Sequence, residues 1–474
     1  MNLGRLLALG SLASVAPLVE FTSRFGRTII LSRCLAPTEF GIAAALTVLM
    51  GICELSTDLA LDRFLILRSG GDDRAVLAAA HRLSVARGVI LAVIVLVVAP
   101  WAAAFLGAPD NDWSFRAVAG VILLRACANL EMKQVQREFR YGPDAMAYIA
   151  AHTAVILAVY PAARLLGDHR AMIVVMFVEC AVYVAISHAV ARDRYSLRSS
   201  GPAVMRAALA YGLPLSINGI GLAVMSQLDR ALVSHWFGIE KLAFYTVILN
   251  LAIIPISAIS RAIGQLGMSF LARRSVDPVE AIRLHSALVW IYAAAAALYA
   301  FSLAASLDVL APLIFGAAYA VGPLFHSLVT LVAWTRVCRG APTLIMLSVG
   351  DTRQLMLSNL SAGVWLLLAA AAVPLLPGIE TVLGCVLIGD FLVLATLMWR
   401  SRHRVEGHRQ RVIADLSWSL AAVGAACVAI GEAGAGEPVA KFALLALSFA
   451  MVAAQLAFGS RRYLLRNGRR AEPA

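Results

Sequence analysis

The sequence predicts an all-α polytopic membrane protein of about 14 transmembrane helices, built as two pseudo-symmetric six-helix lobes plus two C-terminal helices. Three observations carry this. Of 474 residues, 61% are hydrophobic and only 14% charged, whereas soluble domains run near one quarter charged. Mean hydropathy is +0.82, far more apolar surface than a water-soluble fold can hide. Apolar stretches of about 20 residues, the length that crosses a bilayer as a helix, recur along the whole chain.

Taken in order, the first six spans lie near 6–32, 41–62, 84–107, 114–137, 143–164 and 171–190. The first span runs past the length of a signal-peptide core and has no clear cleavage site, so no cleavable leader is expected. Six more spans lie near 206–237, 242–269, 284–307, 322–349, 355–376 and 379–399, and two last ones near 412–431 and 438–459. Pro214, Pro255 and Pro342 fall inside spans, as proline does in membrane helices. The domain organisation that follows is a lobe at 1–190, a cytoplasmic linker at 191–205, a lobe at 206–399, a linker at 400–411, helices 13 and 14 at 412–459 and a basic tail at 460–474.

Charge placement orients the chain. With the N-terminus and every even-numbered loop in the cytoplasm, those segments hold 27 of the 40 Lys and Arg residues, and odd-numbered loops hold six. Cytoplasmic loops carry such an excess, so both termini are expected inside. The same bias accounts for the net charge of +12 through contact with membrane lipids, leaving nucleic acid with nothing to explain. No GxxxxGK phosphate loop occurs. The external loops are too short to hold a catalytic domain, and no selectivity-filter motif is apparent. The seven cysteines form no CxxC pair and nearly all lie in apolar spans, as buried hydrophobes do. The nine histidines show no metal-ligand spacing. No metal site, cofactor or catalytic residue is expected, and a transporter is the reading left standing.

An internal repeat supports it. At an offset of 202 residues, 32–46 aligns with 234–248 by apolar and turn positions. At an offset of 211, Arg125-Ala126-Cys127 aligns with Arg336-Val337-Cys338. Two halves of six helices enter the membrane the same way, as parallel repeats do, with a site expected near mid-depth between them.

Charges inside apolar spans mark the candidate site, because they are costly in lipid and face a bundle interior or a wet cavity. The cations are Arg24, Arg27, Arg125, Arg230, Arg336 and Arg339; a further one, Arg261, is placed for snorkelling to the interface. Arg suits an anionic cargo, since its fork binds carboxylate or phosphate oxygens bidentately and never loses its charge. Glu20 lies four residues before Arg24 on one helix face, so a structural pair stands beside the cavity reading. The carboxylates are Glu20, Glu54, Asp58, Glu179 and Asp390. Glu54 and Asp58 stack on one face, where close acids raise one pKa and suit H+ or Na+ coupling; neutralising nearby arginines is the alternative. Asn218, Gln227, Asn250 and Gln265 offer hydrogen bonds to a polar cargo or to neighbouring helices. Trp290, Trp334, Trp365 and Tyr292 offer stacking or packing.

Several of these positions belong to motifs. Arg33, Pro37-Thr38-Glu39-Phe40-Gly41, Asp58-Leu59-Ala60-Leu61 with Phe64-Leu65, Tyr211-Gly212-Leu213-Pro214-Leu215, Gln227-Leu228-Asp229-Arg230 and Phe237-Gly238-Ile239-Glu240 resemble the polysaccharide-transporter family (Wzx-type flippases) of the multidrug/oligosaccharidyl-lipid/polysaccharide exporter superfamily. The resemblance covers about residues 5–400 and departs at Lys241-Leu242-Ala243, where the family often has glycine. It implies a flippase of the bacterial inner membrane. Its cargo would be undecaprenyl-diphosphate-linked oligosaccharide (an exopolysaccharide, O-antigen or capsule repeat unit), moved by alternating access. Other glycan-assembly proteins are the further partners it implies. A drug or metabolite antiporter of the same superfamily and a membrane enzyme of glycan assembly are the alternatives.

Overall fold

The computed structural model describes the backbone of residues 3–57, 59–67, 73–138, 140–193, 195–197, 201–274, 278–348, 351–401, 409–434 and 438–463. Side chains at 3–17, 257–283, 409–412, 432–442, 458–463 and a few scattered helical positions lie outside the description. Asp58, and the side chains of Asn218, Arg261 and Gln265, are therefore outside the described residues, as are most of the second linker and the end of the tail.

Among the described residues the chain is helical, with no strand. It divides into two compact units, 1–247 and 248–474. The first holds α1 (Leu3–Cys34), α2 (Pro37–Ser56), α3 (Leu61–Leu67), α4 (Asp73–Phe105), α5 (Asp112–Ala126), α6 (Glu131–Gln134), α7 (Gly142–Leu166), α8 (Arg170–Val190), α9 (Pro202–Phe237) and the start of α10 (Ile239–Arg274). The second holds the rest of α10, α11 (Pro278–Phe315), α12 (Pro323–Cys338), α13 (Gly340–Ser348), α14 (Thr352–Leu360), α15 (Val364–Ala372), α16 (Ile379–Ser401), α17 (Arg409–Gly434) and α18 (Pro438–Tyr463). Among the described residues, nine stretches are long and apolar enough to cross a bilayer. The chain is a multi-pass membrane protein.

Several expected spans are broken, and the breaks have local causes. The span expected at 114–137 ends its helix at Ala126 and resumes at Glu131. Asn129 sits in the gap, and its side chain competes with the helix for backbone groups. Its Oδ1 accepts the Glu131 N–H at 3.0 Å, and its own N–H is donated to Ser187 Oγ at 2.9 Å. The Leu130 N–H goes to His81 Nε2 at 3.0 Å. The backbone donors of Asn129, Leu130 and Glu131 thus find side-chain partners, as buried donors must. The span expected at 41–62 likewise stops at Ser56 and restarts at Leu61, with Ala60 in the left-handed region at φ 47°. In the second unit, the span expected at 322–349 is interrupted at Arg339.

In the first unit α7 packs on α8, α4 on α5, α1 on α7 and α2 on α9. Lipid tails are as apolar as leucine, so membrane helices associate through close packing of small residues. Gly219 of α9 is such a position: a Cβ there would stand 2.2 Å from the Leu55 carbonyl oxygen. Gly41 is another, since its Cβ would stand 2.3 Å from the Ile239 carbonyl oxygen. The corner at Pro37-Thr38-Glu39-Phe40-Gly41 and the corner at Phe237-Gly238-Ile239-Glu240 thus meet, though 200 residues separate them in sequence. Glu39 ties this corner further: its Oε2 accepts the His169 N–H at 3.0 Å and lies 2.6 Å from Nδ1, while Nε2 lies 2.8 Å from Ser114 Oγ. Leucine at Gly219 must push α9 off α2. We expect Gly219→Leu to cost about 2 kcal/mol or more, read as a lower thermal midpoint in detergent with a monodisperse wild-type control.

The second unit packs α17 and α18 on α11 through alanine-rich contacts, Ala297 with Ala422 and Val452, and Ala304 with Ala426 and Ile430. Indole N–H groups close the polar accounts there. Trp334 donates to Ser419 Oγ at 2.6 Å and Trp290 to the Gln455 carbonyl at 3.2 Å.

Candidate functional site

The break after α5 is what builds the candidate site. By ending α5 at Ala126, it leaves Arg125 at the helix's last turn and sets Lys133 on the short α6. Both side chains line one cavity of about 300 Å³ in the first unit, together with Arg87, Glu54, Asp62 and the rings of Tyr148 and Tyr183. The cavity is therefore a mixed surface, with three cations, two carboxylates and two aromatic faces.

Distances separate the tight contacts from the loose ones. Lys133 is 9% exposed, with Nζ 2.8 Å from Asp144 and 3.5 Å from Asp62. It also lies 5.0 Å above the Tyr148 ring, within cation–π range. Arg125 lies 3.5 Å from Glu54 and 5.2 Å from the Tyr183 ring centroid. A charge-assisted hydrogen bond spans about 2.7–2.9 Å, so the Arg125–Glu54 contact is Coulombic and loose. Tyr148 and Tyr183 meet edge to face at 5.2 Å. Arg87 donates to the Thr57 carbonyl at 3.1 Å, which ties the cavity wall to the α2–α3 break. Behind the wall, the linker following α8 is fastened by Glu131, which accepts the Arg192 N–H at 2.6 Å. Tyr195 of that linker packs 4.3 Å from the His81 ring, and burial pushes its phenol up to about 12.

The other expected cations are placed elsewhere. Arg24 is 57% exposed and pairs with Glu20 at 3.0 Å along α1. Arg27 lies 3.6 Å from Glu179 of α8. Arg230 is half-buried; its neighbour Asp229 is buried and accepts the Tyr245 hydroxyl at 3.2 Å and the Arg230 N–H at 2.9 Å. Arg336 and Arg339 both hold Asp390, at 2.8 Å and 2.5 Å, and Arg339 also reaches Asn359 at 3.4 Å. Asp390 is only 8% exposed, so this is a clamped, internal charge cluster. Of the residues expected from sequence, Arg125 and Glu54 line the cavity. Trp290, Trp334, Trp365 and Tyr292 are all buried and serve packing.

The internal repeat explains the difference between the units. The offset of 211 that relates Arg125 to Arg336 also relates Glu179 to Asp390. In the second unit that arginine and that acid pair with each other. In the first they do not, because each has another partner: Glu54 for Arg125 and Arg27 for Glu179. At either offset Glu54 falls on Ile256 or Gln265, neither acidic, and Arg27 falls on Asp229 or Gly238. Lacking both extra charges, the second half closes on itself. The first half keeps its arginine in a looser contact on a cavity wall.

Lys133, Arg87, Asp62, Tyr148 and Tyr183 were not among the residues singled out from sequence. Lys133 and Arg87 read there as loop cations of the topology signal. One clue was available: the chain has three lysines in all, and this one falls near the end of the span expected at 114–137.

Comparisons with known proteins agree with this architecture. Among solved structures, the lipid II flippase MurJ in an inward closed conformation matches with a TM-score of 0.69 at 8% identity, covering 96% of this chain and 99% of that one. An inward-facing multidrug resistance MATE transporter of the MOP superfamily matches with a TM-score of 0.57 at 16% identity, covering 84% and 99%. A eukaryotic MATE transporter matches at 0.51 and 11%, covering 85% and 97%. At these identities the likeness is one of fold. No curated protein sequence matches the chain. The profile of a family described as polysaccharide biosynthesis protein matches residues 30–322, more than half of the chain and the stretch holding most of the corner motifs and the cavity. The chain belongs to that polysaccharide biosynthesis family, and its fold is that of the MurJ and MATE transporters.

Proposed function

We propose that the protein is a flippase that moves a lipid-diphosphate-linked oligosaccharide across the bacterial inner membrane by alternating access, with both termini in the cytoplasm. It is a transporter in this reading and not an enzyme. The observation that carries the proposal is the cavity of the first unit. A diphosphate cannot enter hydrocarbon with its hydration shell, so a carrier must supply cations in its place. Arg125 and Lys133 offer a guanidinium fork and an ammonium, and Tyr148 and Tyr183 offer aromatic faces beside them. A cationic drug would find the same three cations repulsive, which disfavours an antiporter.

The loose Arg125–Glu54 contact supplies a coupling step. Protonating Glu54 removes the partner of Arg125 and frees its fork for phosphate; deprotonation restores the pair and expels the anion. Of the expected carboxylates among the described residues, Glu54 is the one on the cavity wall. Glu20, Glu179 and Asp390 each hold arginines by direct contact away from it.

The test is a deletion strain. Diphosphate-linked oligosaccharide is extracted, quantified and assigned to a leaflet. Accumulation facing the cytoplasm, cleared by the wild-type gene, supports the flippase. No accumulation, with drug sensitivity instead, replaces it with the antiporter. Transport in vesicles that ignores both ΔpH and a Na+ gradient removes the coupling step and leaves the flippase.

A further inference from the structure

A second feature of the first unit lies outside the cavity and has no place in the transport reading. A groove of about 680 Å³ runs along the first three turns of α9 and the start of α4, lined by Arg82, Met205, Arg206, Leu209, Ala210 and Leu213. Its floor is rigid. Ala208 is buried in a core with Leu59, Phe64, Leu77 and Leu83, and Val204, Met205 and Leu209 pack against that core. The α9 residues recur at three- and four-residue steps, so they form one face of the helix.

The face is graded along its length. Arg206 and Arg82 are both exposed, and neither has a carboxylate partner among the described residues. Seven residues beyond Arg206, about 10 Å along the helix, stands Leu213, 52% exposed. Leu209 and Ala210 fill the interval. The first turn of α9 adds the positive end of the helix dipole at the charged end. The charge distribution in the sequence puts this end in the cytoplasm, where the leaflet is anionic. Two exposed arginines joined to an apolar runway match one molecule with a phosphate at one end and a chain at the other. A free phosphate would use the arginines and leave the runway idle.

We propose that this groove binds an anionic phospholipid of the cytoplasmic leaflet, its phosphate between Arg82 and Arg206 and an acyl chain along Leu209–Leu213. This goes beyond the transport reading; it rests on the same orientation of the chain but not on the cargo, since binding is measured without cargo.

The test uses the full chain in neutral detergent, titrated with phosphatidylglycerol or phosphatidylcholine and read by native mass spectrometry. Wild type is expected to prefer phosphatidylglycerol by about tenfold or more, less at high salt. Arg82→Gln with Arg206→Gln should bring the two lipids within about twofold. Leu213→Gln should weaken both lipids alike. Arg116→Gln, which removes an exposed arginine paired with Asp112, should leave the preference intact. Size-exclusion profiles and thermal midpoints report whether each variant folds, and the wild-type preference tests the proposal even if one does not. Equal binding of both lipids by wild type overturns it. So does displacement by millimolar inorganic phosphate with no effect of Leu213→Gln, which marks a free-anion site. Undecaprenyl diphosphate displacing phosphatidylglycerol at lower concentration would reassign the groove to the cargo.

Discussion

Replacing Arg125 and Lys133 together by alanine is expected to abolish clearance of the lipid-linked oligosaccharide. Hydrogen bonds to charged groups contribute about 1.5–3 kcal/mol each, and about 1.4 kcal/mol is a factor of ten. Losing two such contacts predicts a drop of about a hundredfold or more in transport at limiting cargo. The measurement is the rate at which a complemented deletion strain clears accumulated lipid-linked glycan. Lys133 also holds Asp144 and Asp62, so its removal leaves carboxylates unpaired and costs stability. Charge-preserving variants separate the effects. Lys133→Arg and Arg125→Lys keep the charge balance, and Arg125→Lys loses the bidentate fork, so it should transport about tenfold more slowly with an unchanged thermal midpoint. If the double alanine variant is folded and clears glycan at the wild-type rate, the cavity is not the cargo site.

Asp390→Ala should be the most destabilising single change among the charged residues. Breaking a buried pair by removing one partner costs about 3–5 kcal/mol because the other charge stays behind, and here two arginines would lose their shared carboxylate. The arginines are about one quarter exposed, so the lower end, about 3 kcal/mol, is expected. It would appear as a clear fall in thermal midpoint and in folded yield. Replacing Asp390, Arg336 and Arg339 together with leucine should recover most of the loss, because no charge is then left unpaired. Arg24→Ala supplies the contrast. Its pair with Glu20 is an exposed i,i+4 contact worth about 0.5 kcal/mol or less, so its midpoint should hardly move. If Asp390→Ala is as stable as Arg24→Ala, the clamp in the second unit is not a structural one.

Much of the architecture could be read without coordinates, because it follows from one-dimensional physics. The bilayer demands helices of set length and apolar composition, and the expected spans fall largely on helix, several of them interrupted, with nine stretches among the described residues long and apolar enough to cross. Arg33, the corner at Pro37-Thr38-Glu39-Phe40-Gly41 and the other motifs identified the family that the profile match then established. The pairing of Glu20 with Arg24 was legible because four residues make one helical turn.

What the tertiary structure alone decided is which charges meet. Arg125 takes Glu54, Arg27 takes Glu179, and Arg336 takes Asp390, each across tens of residues or more, and no local spacing encodes a contact between helices. Lys133 was hidden for a related reason. A linear count assigns a cation near a helix end to the loop, whereas side chains from α4 and α8 satisfy the backbone around Asn129 and fold Lys133 back over Tyr148. Hydropathy sets where a helix runs. The partners of its polar atoms, chosen in three dimensions, set where it breaks, and the break is what made the cavity.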